Sequence, residues 1–229
     1  MSVAVGAASA RCHCLSCPRM SEARIDRAHY DFARYVDIRR WCSYWHQAHE
    51  TLALQPDSVL EIGVGNGLYR ALLRQLGCGV TSVDVNASLQ PDHVGSVTAL
   101  PFADGSYAVV VAFQVLEHLP YEDFRTAVSE MRRVARGHVL LSLPDAGKVW
   151  RGSLDLGRRE RRWMVDKPLS KPRRHRVTGD HQWEIGKRGY PVGRIVEDLD
   201  ACGLEVLRNY RAAENPYHRF LVCRKLPPA

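Results

Sequence analysis

The sequence predicts an α/β domain whose mostly parallel sheet is covered by helices on both faces. Three observations carry that prediction. From Val59 onward, short apolar runs alternate with amphipathic helical stretches, the rhythm of strand–helix–strand units. The first run, Val59 to Ile62, breaks into Gly63-Val64-Gly65-Asn66-Gly67 and then into a helical pattern from Leu68 to Leu76. Tyr107 to Phe113 is apolar throughout, as a parallel strand buried on both faces should be.

Composition bounds the rest. A chain of 229 residues, 45% apolar and 25% charged, is an ordinary soluble globule with room for one large domain. No apolar run approaches the ~18 residues of a membrane span. Met1 to Ala10 lacks a basic start and Arg11 interrupts any apolar run, so no secretory signal is expected and a cytoplasmic location follows. Residues 1–20 hold Cys12, His13, Cys14 and Cys17. No second Cys/His pair follows at finger spacing, so the segment reads as a disordered tail, with Met20 an alternative start. Cys42, Cys78, Cys202 and Cys223 read as small buried hydrophobes in a reducing compartment.

Residues 21–229 form the single domain. Its first part, 21–54, is a helical cover rich in aromatics (Tyr30, Phe32, Tyr35, Trp41, Tyr44, Trp45), with Asp37 placed to cap a helix. Those rings are expected mostly to pack on the core, while one or two could instead close over a ligand. Residues 55–144 are the ligand-binding core: a strand at Val59, its glycine turn and helix, a stop at Gly77-Cys78-Gly79, and a second strand, Val80 to Val85, closing on Asp84. A short strand follows at His93 to Val97. After Tyr107 to Phe113 come a helix from Tyr121 to Arg136, with Phe124, Val128 and Met131 inward, and a strand from Val139 to Leu143. Residues 145–189 break the rhythm and are expected to be an insertion or lid, partly helical near Arg158 to Met164. Residues 190–229 close the domain with a helix ending at Gly203 and two strands joined at Glu214-Asn215-Pro216-Tyr217, short enough for an antiparallel hairpin.

The net charge of +7 is concentrated. From Lys148 to Arg176 there are eleven Lys/Arg against Asp155, Glu160 and Asp166, so this stretch accounts for the whole excess.

A strand–glycine turn–helix unit suits two ligand classes. A dinucleotide site wants G-x-G-x-x-G, but here the glycines alternate, Gly63-x-Gly65-x-Gly67, and bulky Leu68 stands where the third would fall. The other class is S-adenosylmethionine, which carries no phosphate. At this point the sequence resembles the class I S-adenosylmethionine-dependent methyltransferases, most of all the ubiquinone/menaquinone-type group. The matching segments are Val59 to Gly67, Val83-Asp84, Leu100-Pro101-Phe102 with Asp104-Gly105-Ser106, and Val115-Leu116-Glu117-His118-Leu119. The resemblance implies a Rossmann-like seven-stranded sheet with an antiparallel last strand. It implies that Gly63, Gly65 and Gly67 pass close to the methionine moiety, that Glu61 orients the loop and helps bind the amino group, and that Asp84 accepts from the ribose hydroxyls. Ser96 and Val97 would lie beside the adenine, Ser96 standing where the family usually has Asp. Phe113 and Gln114 would face the methyl sulfonium.

Methyl transfer is an in-line displacement in which positioning dominates, and a base is needed only when the nucleophile must lose a proton. The candidate bases are His118, His181 and His218. His118 is equally readable as part of a local cap. In His181-Gln182-Trp183-Glu184 no second histidine follows at helical spacing, so no metal is expected. The acceptor is read as a small molecule, with the arginines of 148–176 gripping an anionic group. Two alternatives remain. The basic segment, interleaved with Trp150, Trp163 and Trp183, could grip RNA instead. Or the domain could bind S-adenosylmethionine without catalysing transfer. The oligomeric state is not legible.

Overall fold

The structure is a computed structural model that describes residues 27–167, 170–177 and 180–227. The Cys/His cluster of the first twenty residues, the Met20 start and Pro168 lie outside those residues.

Seven strands form one sheet: β1 (Ser58–Ile62), β2 (Gly79–Asp84), β3 (His93–Val94), β4 (Tyr107–Phe113), β5 (Ala135–Pro144), β8 (Leu204–Arg211) and β9 (His218–Lys225). Their order is β3-β2-β1-β4-β5-β9-β8. Only β9 runs against its neighbours: it pairs antiparallel with both β5 and β8, whereas every other pair is parallel. The predicted α/β class, with its antiparallel final strand, is what forms.

The two faces of the sheet are separate cores, as the two-residue strand period requires. Leu60, Ile62, Val110, Ala112 and Leu141 point to one side, under α4 (Phe124–Val134) and α5 (Val192–Ala201). Val59, Val109, Val111 and Leu140 point to the other, under α2 (Ile38–Leu52) and α3 (Leu68–Gln75). On α4 the expected inward residues Phe124, Val128 and Met131 are fully buried. On α3 the buried residues are Tyr69 and Leu73, while Leu72 and the C-cap residue Leu76 are exposed. Asp37 caps α2 by accepting the Arg40 N–H at 2.8 Å.

Three expectations are corrected. The segment near Arg158 to Met164 is not helical. Residues β6 (Val149–Asp155) and β7 (Glu160–Asp166) form a two-stranded antiparallel ribbon apart from the main sheet. Its turn is set by Asp155, whose Oδ1 accepts the Gly157 N–H at 2.8 Å while Gly157 sits at φ +78°. Trp183 does not offer a stacking face: it is fully buried, T-shaped against Tyr121 and Phe124, with Nε1 donating to the Leu119 carbonyl at 3.2 Å. Nor do the N-terminal rings fill the core. Phe32, Trp41 and Trp45 are exposed, and the buried face of α2 is polar and small: Ser43, Gln47, Ala48, Glu50 and Thr51. Its hydroxyls are matched instead, with Thr51 bonded to the Tyr69 hydroxyl at 2.8 Å.

The basic ribbon is moored at both ends. Asp145, buried at the foot of β6, accepts from Arg219 Nε at 2.7 Å and lies 3.6 Å from Arg211 Nη1. Arg211 also donates to the Gly147 carbonyl at 2.8 Å and the Pro216 carbonyl at 2.6 Å. Farther out, Arg151 donates to the Ala213 carbonyl at 2.9 Å and Arg162 pairs with Glu214. Among the described residues no helix is long and apolar enough to cross a membrane. Of the four free cysteines among them only Cys223 is fully buried, and burial pushes its thiol up to about 12.

Candidate functional site

The site begins where β1 ends. Gly63, Gly65 and Gly67 all adopt positive φ (+79°, +55° and +76°), which makes the alternating spacing intelligible. Gly63 is also closed in, because a Cβ there would run into Val115 Cγ2. The loop is tied to β2 by Asp84. Its Oδ2 accepts the Val64 N–H and its Oδ1 the Asn86 N–H, each at 2.8 Å. Each carboxylate oxygen keeps a further lone pair. Asn66 finishes the turn: its Oδ1 accepts from the Leu68 N–H at 3.1 Å and from the Tyr44 hydroxyl at 3.0 Å.

An open cavity of about 530 Å³ lies against this loop, lined among others by Tyr30, Gly65, Asn66, Arg70, Leu89 and Gln90. The Tyr30 ring sits over Gly65, and Tyr30 stacks edge-on with Tyr35 at 4.9 Å. Burial raises both phenols above their ordinary range. The helical cover thus lends its rings to the mouth of the ligand loop. Of the residues lining the cavity, Gln90 carries no signal in the sequence, whereas Tyr30 is one of the cover rings of which one or two could close over a ligand. For Asn66 the signal lay in the motif itself, as the polar residue between two glycines. Which of the cover rings does so is not legible locally, because nothing near Tyr30 says that its helix folds over the loop.

Two buried polar atoms here lack partners: Glu61 Oε2 and Asn66 Nδ2. Glu61 is enclosed within β1, and burial holds its carboxyl up to about 8 despite Arg70 and Arg74 nearby. One unpaired acceptor and one unpaired donor beside three glycines constitute a cradle for a polar ligand. The remaining predicted residues are placed less directly. Val97 is buried in the core, and the partly buried Phe113 packs T-shaped on Tyr69 at 5.2 Å. Ser96 bonds Thr98 Oγ1 at 2.8 Å. Gln114 is held in the left-handed region (φ +57°) by its N–H to the Ser142 carbonyl at 2.9 Å and its side-chain amide to Ser142 Oγ at 3.2 Å.

Two of the three histidines, His118 and His181, meet from separate segments, and His218 follows Tyr217 at the start of β9. The His118 and His181 rings lie 5.1 Å apart, T-shaped, and the His181 ring stacks 6.5 Å from Tyr217. Glu184 ties this wall together, accepting from the Tyr217 hydroxyl at 2.7 Å and lying 3.2 Å from His181 Nδ1. His218 is buried with Nδ1 unpaired, and desolvation drops it to about 3, so its ring is neutral and too weak a base to hold a proton at neutral pH. His118 is also lowered by burial, with Nδ1 at 3.1 Å from the Asp180 carbonyl.

Residues 60–142 match the family model described as a methyltransferase domain. No curated protein sequence matches the chain. Among solved structures, 1,6-didemethyltoxoflavin-N1-methyltransferase from Burkholderia thailandensis, with its substrate and S-adenosylhomocysteine bound, is similar at 16% identity and TM-score 0.57, over 87% of this chain and 85% of that one. Magnesium protoporphyrin IX methyltransferase from Synechocystis PCC 6803 is similar at 16% and 0.58, over 85% and 88%. The glycopeptide N-methyltransferase MtfA is similar at 18% and 0.54, over 81% and 89%. Identities this low speak to the fold. Residues 60–142 thus match a methyltransferase-domain model, and the chain as a whole has a fold that S-adenosylmethionine-dependent methyltransferases share.

Proposed function

We propose that the protein is an S-adenosylmethionine-dependent enzyme that methylates a small-molecule acceptor. The observation that carries this reading is the Gly63–Gly67 loop, with three left-handed glycines, stitched to the acid that ends β2. The residues fit the cofactor's chemistry. Asp84 has lone pairs left for two hydroxyl donors, Glu61 has an unpaired buried oxygen for an ammonium group, and Asn66 has an unpaired amide N–H. Motifs from Val59 to Leu119 support placing the domain in the ubiquinone/menaquinone-type group.

When bound, S-adenosylmethionine supplies an activated methyl carbon. The protein's own work is then to position the acceptor and exclude water. Tyr30, Tyr35 and Arg40 form one wall, with the Arg40 guanidinium 3.8 Å over the Tyr35 ring. Segment 180–184, Tyr217 and His218 supply the opposite wall. His181 is held in that wall by Glu184, which lies 3.2 Å from its Nδ1. Neutral His218 is suited to hydrogen bonding rather than to general-base work.

Incubation of the enzyme and deuterated S-adenosylmethionine with a metabolite extract, read by mass spectrometry, is expected to place a trideuteromethyl group on a low-molecular-weight product. Absence of any labelled small molecule would contradict the reading. A second reading, an RNA acceptor, is favoured by the ribbon itself: Trp150 and Trp163 are about half exposed among its arginines. RNA binding across a salt series separates the two, since phosphate contacts weaken steeply with salt. We expect no salt-sensitive RNA affinity; tight binding at low salt that collapses near 0.2 M would favour the nucleic acid. Retained cofactor binding without transfer to either class would instead favour a non-catalytic role.

A further inference from the structure

We propose that Glu117, His118 and His181, none of which lines the cavity of about 530 Å³, form a site for one divalent first-row transition ion. Chain spacing gave no reason to expect it: His181 has no second histidine at helical distance. The fold supplies the missing ligands from the loop after β4. One ligand atom from each of the three residues lies within 4.8 Å of the others, and His181 Nε2 is 4.0 Å from Glu117 Oε1. Metal–nitrogen and metal–oxygen bonds near 2.0–2.2 Å allow two ligands of one ion to stand up to about 4.2 Å apart. Closure therefore needs a shift of less than about 1 Å.

A second observation points the same way. Glu117 is completely buried, and neither of its carboxylate oxygens has a hydrogen-bond partner. A carboxyl group in that position is costly unless something satisfies it. The third observation is the outer shell. His118 Nδ1 lies 3.1 Å from the Asp180 carbonyl, with the Gln114 carbonyl also near the ring. His181 Nδ1 lies 3.2 Å from Glu184, itself held by Tyr217. A carbonyl or carboxylate on Nδ1 is how ligating histidines are oriented, and it leaves Nε2 of each ring as the ligand atom.

Two imidazoles with one carboxylate suit zinc, cobalt, manganese or iron rather than magnesium or calcium, which prefer all-oxygen shells. Three protein ligands also leave coordination positions open, where a water or an acceptor oxygen or nitrogen can bind. The site does not depend on the methyltransferase reading, and its test reads no methyl transfer.

The test uses the full chain with Cys12, Cys14 and Cys17 changed to Ser, because those thiols would compete for soft ions. After dialysis against chelator, Co2+ is titrated by its visible d–d absorption and Zn2+ by calorimetry. One equivalent of each is expected to bind. His181→Ala and Glu117→Gln should each lower affinity at least tenfold, and Glu184→Gln, which acts through His181, about tenfold. Circular dichroism establishes that each variant is folded, and the parent chain alone decides if one is not. No saturable binding by the parent overturns the proposal. So does binding that all the folded variants retain, and Glu117 is then simply a buried neutral carboxylic acid.

Discussion

Asp84 is where one side chain does two jobs. It fixes the glycine loop through the Val64 and Asn86 N–H groups, and it keeps lone pairs for a ligand. Asp84→Ala is accordingly expected to weaken S-adenosylmethionine binding at least tenfold, or about 1.4 kcal/mol, a modest value for charge-assisted hydrogen bonds. Unchanged affinity in calorimetry would contradict that role. Glu61 makes a prediction about stability. Its folded carboxyl titrates near 8, above the ordinary 4.5. Between those values the folded state holds a proton that the unfolded chain has lost, so this contribution is full below about 4.5 and disappears as pH rises through about 8. Thermal melts of Glu61→Gln from pH 5 to 8.5 should fall less with pH than those of the parent, and parallel curves would refute the assignment. His218 has the opposite sign. Its depressed value, about 3 against 6.5, adds stability above 6.5 that is lost as pH falls.

The strand–turn–helix unit of β1 and α3 was legible because each of its constraints is local. Alternating glycines demand left-handed backbone, and the structure puts all three there. Gly63→Ala adds both a strained φ and a Cβ driven into Val115, a β-branched side chain with little freedom to turn away. A loss of about 1–3 kcal/mol in denaturant unfolding is expected, together with weaker cofactor binding. A variant as stable as the parent would mean the loop relaxes freely. The ribbon β6–β7 was misread for the converse reason. Its run of arginines carries no period, and the turn depends on one aspartate–glycine contact inside a charged stretch. The histidine wall was half legible. His118, His181 and His218 stand out as residue types, but the meeting of His118, His181 and Tyr217 depends on segments from three parts of the chain. Which cover rings reach the loop was equally hidden: Tyr30 and Tyr35 pack on each other and Tyr30 on Gly65, not along a core stripe.

At the scale of the molecule, the sheet order places the ends of β1, β2 and β4 side by side, which is where open α/β sheets bind ligands. The helical cover closes that edge from one side. On the other, the β8–β9 joint is tied to both the cover and the ribbon: Asn215 donates to Ser43 at 3.1 Å, and Glu214 meets His46 and Arg162. The central claim is that this edge holds S-adenosylmethionine and not a dinucleotide. The most direct measurement is titration calorimetry of the intact protein with S-adenosylmethionine and, separately, with NAD. Saturable one-to-one binding of S-adenosylmethionine, with NAD weak or silent, is the predicted result. Tighter binding of NAD would contradict the account.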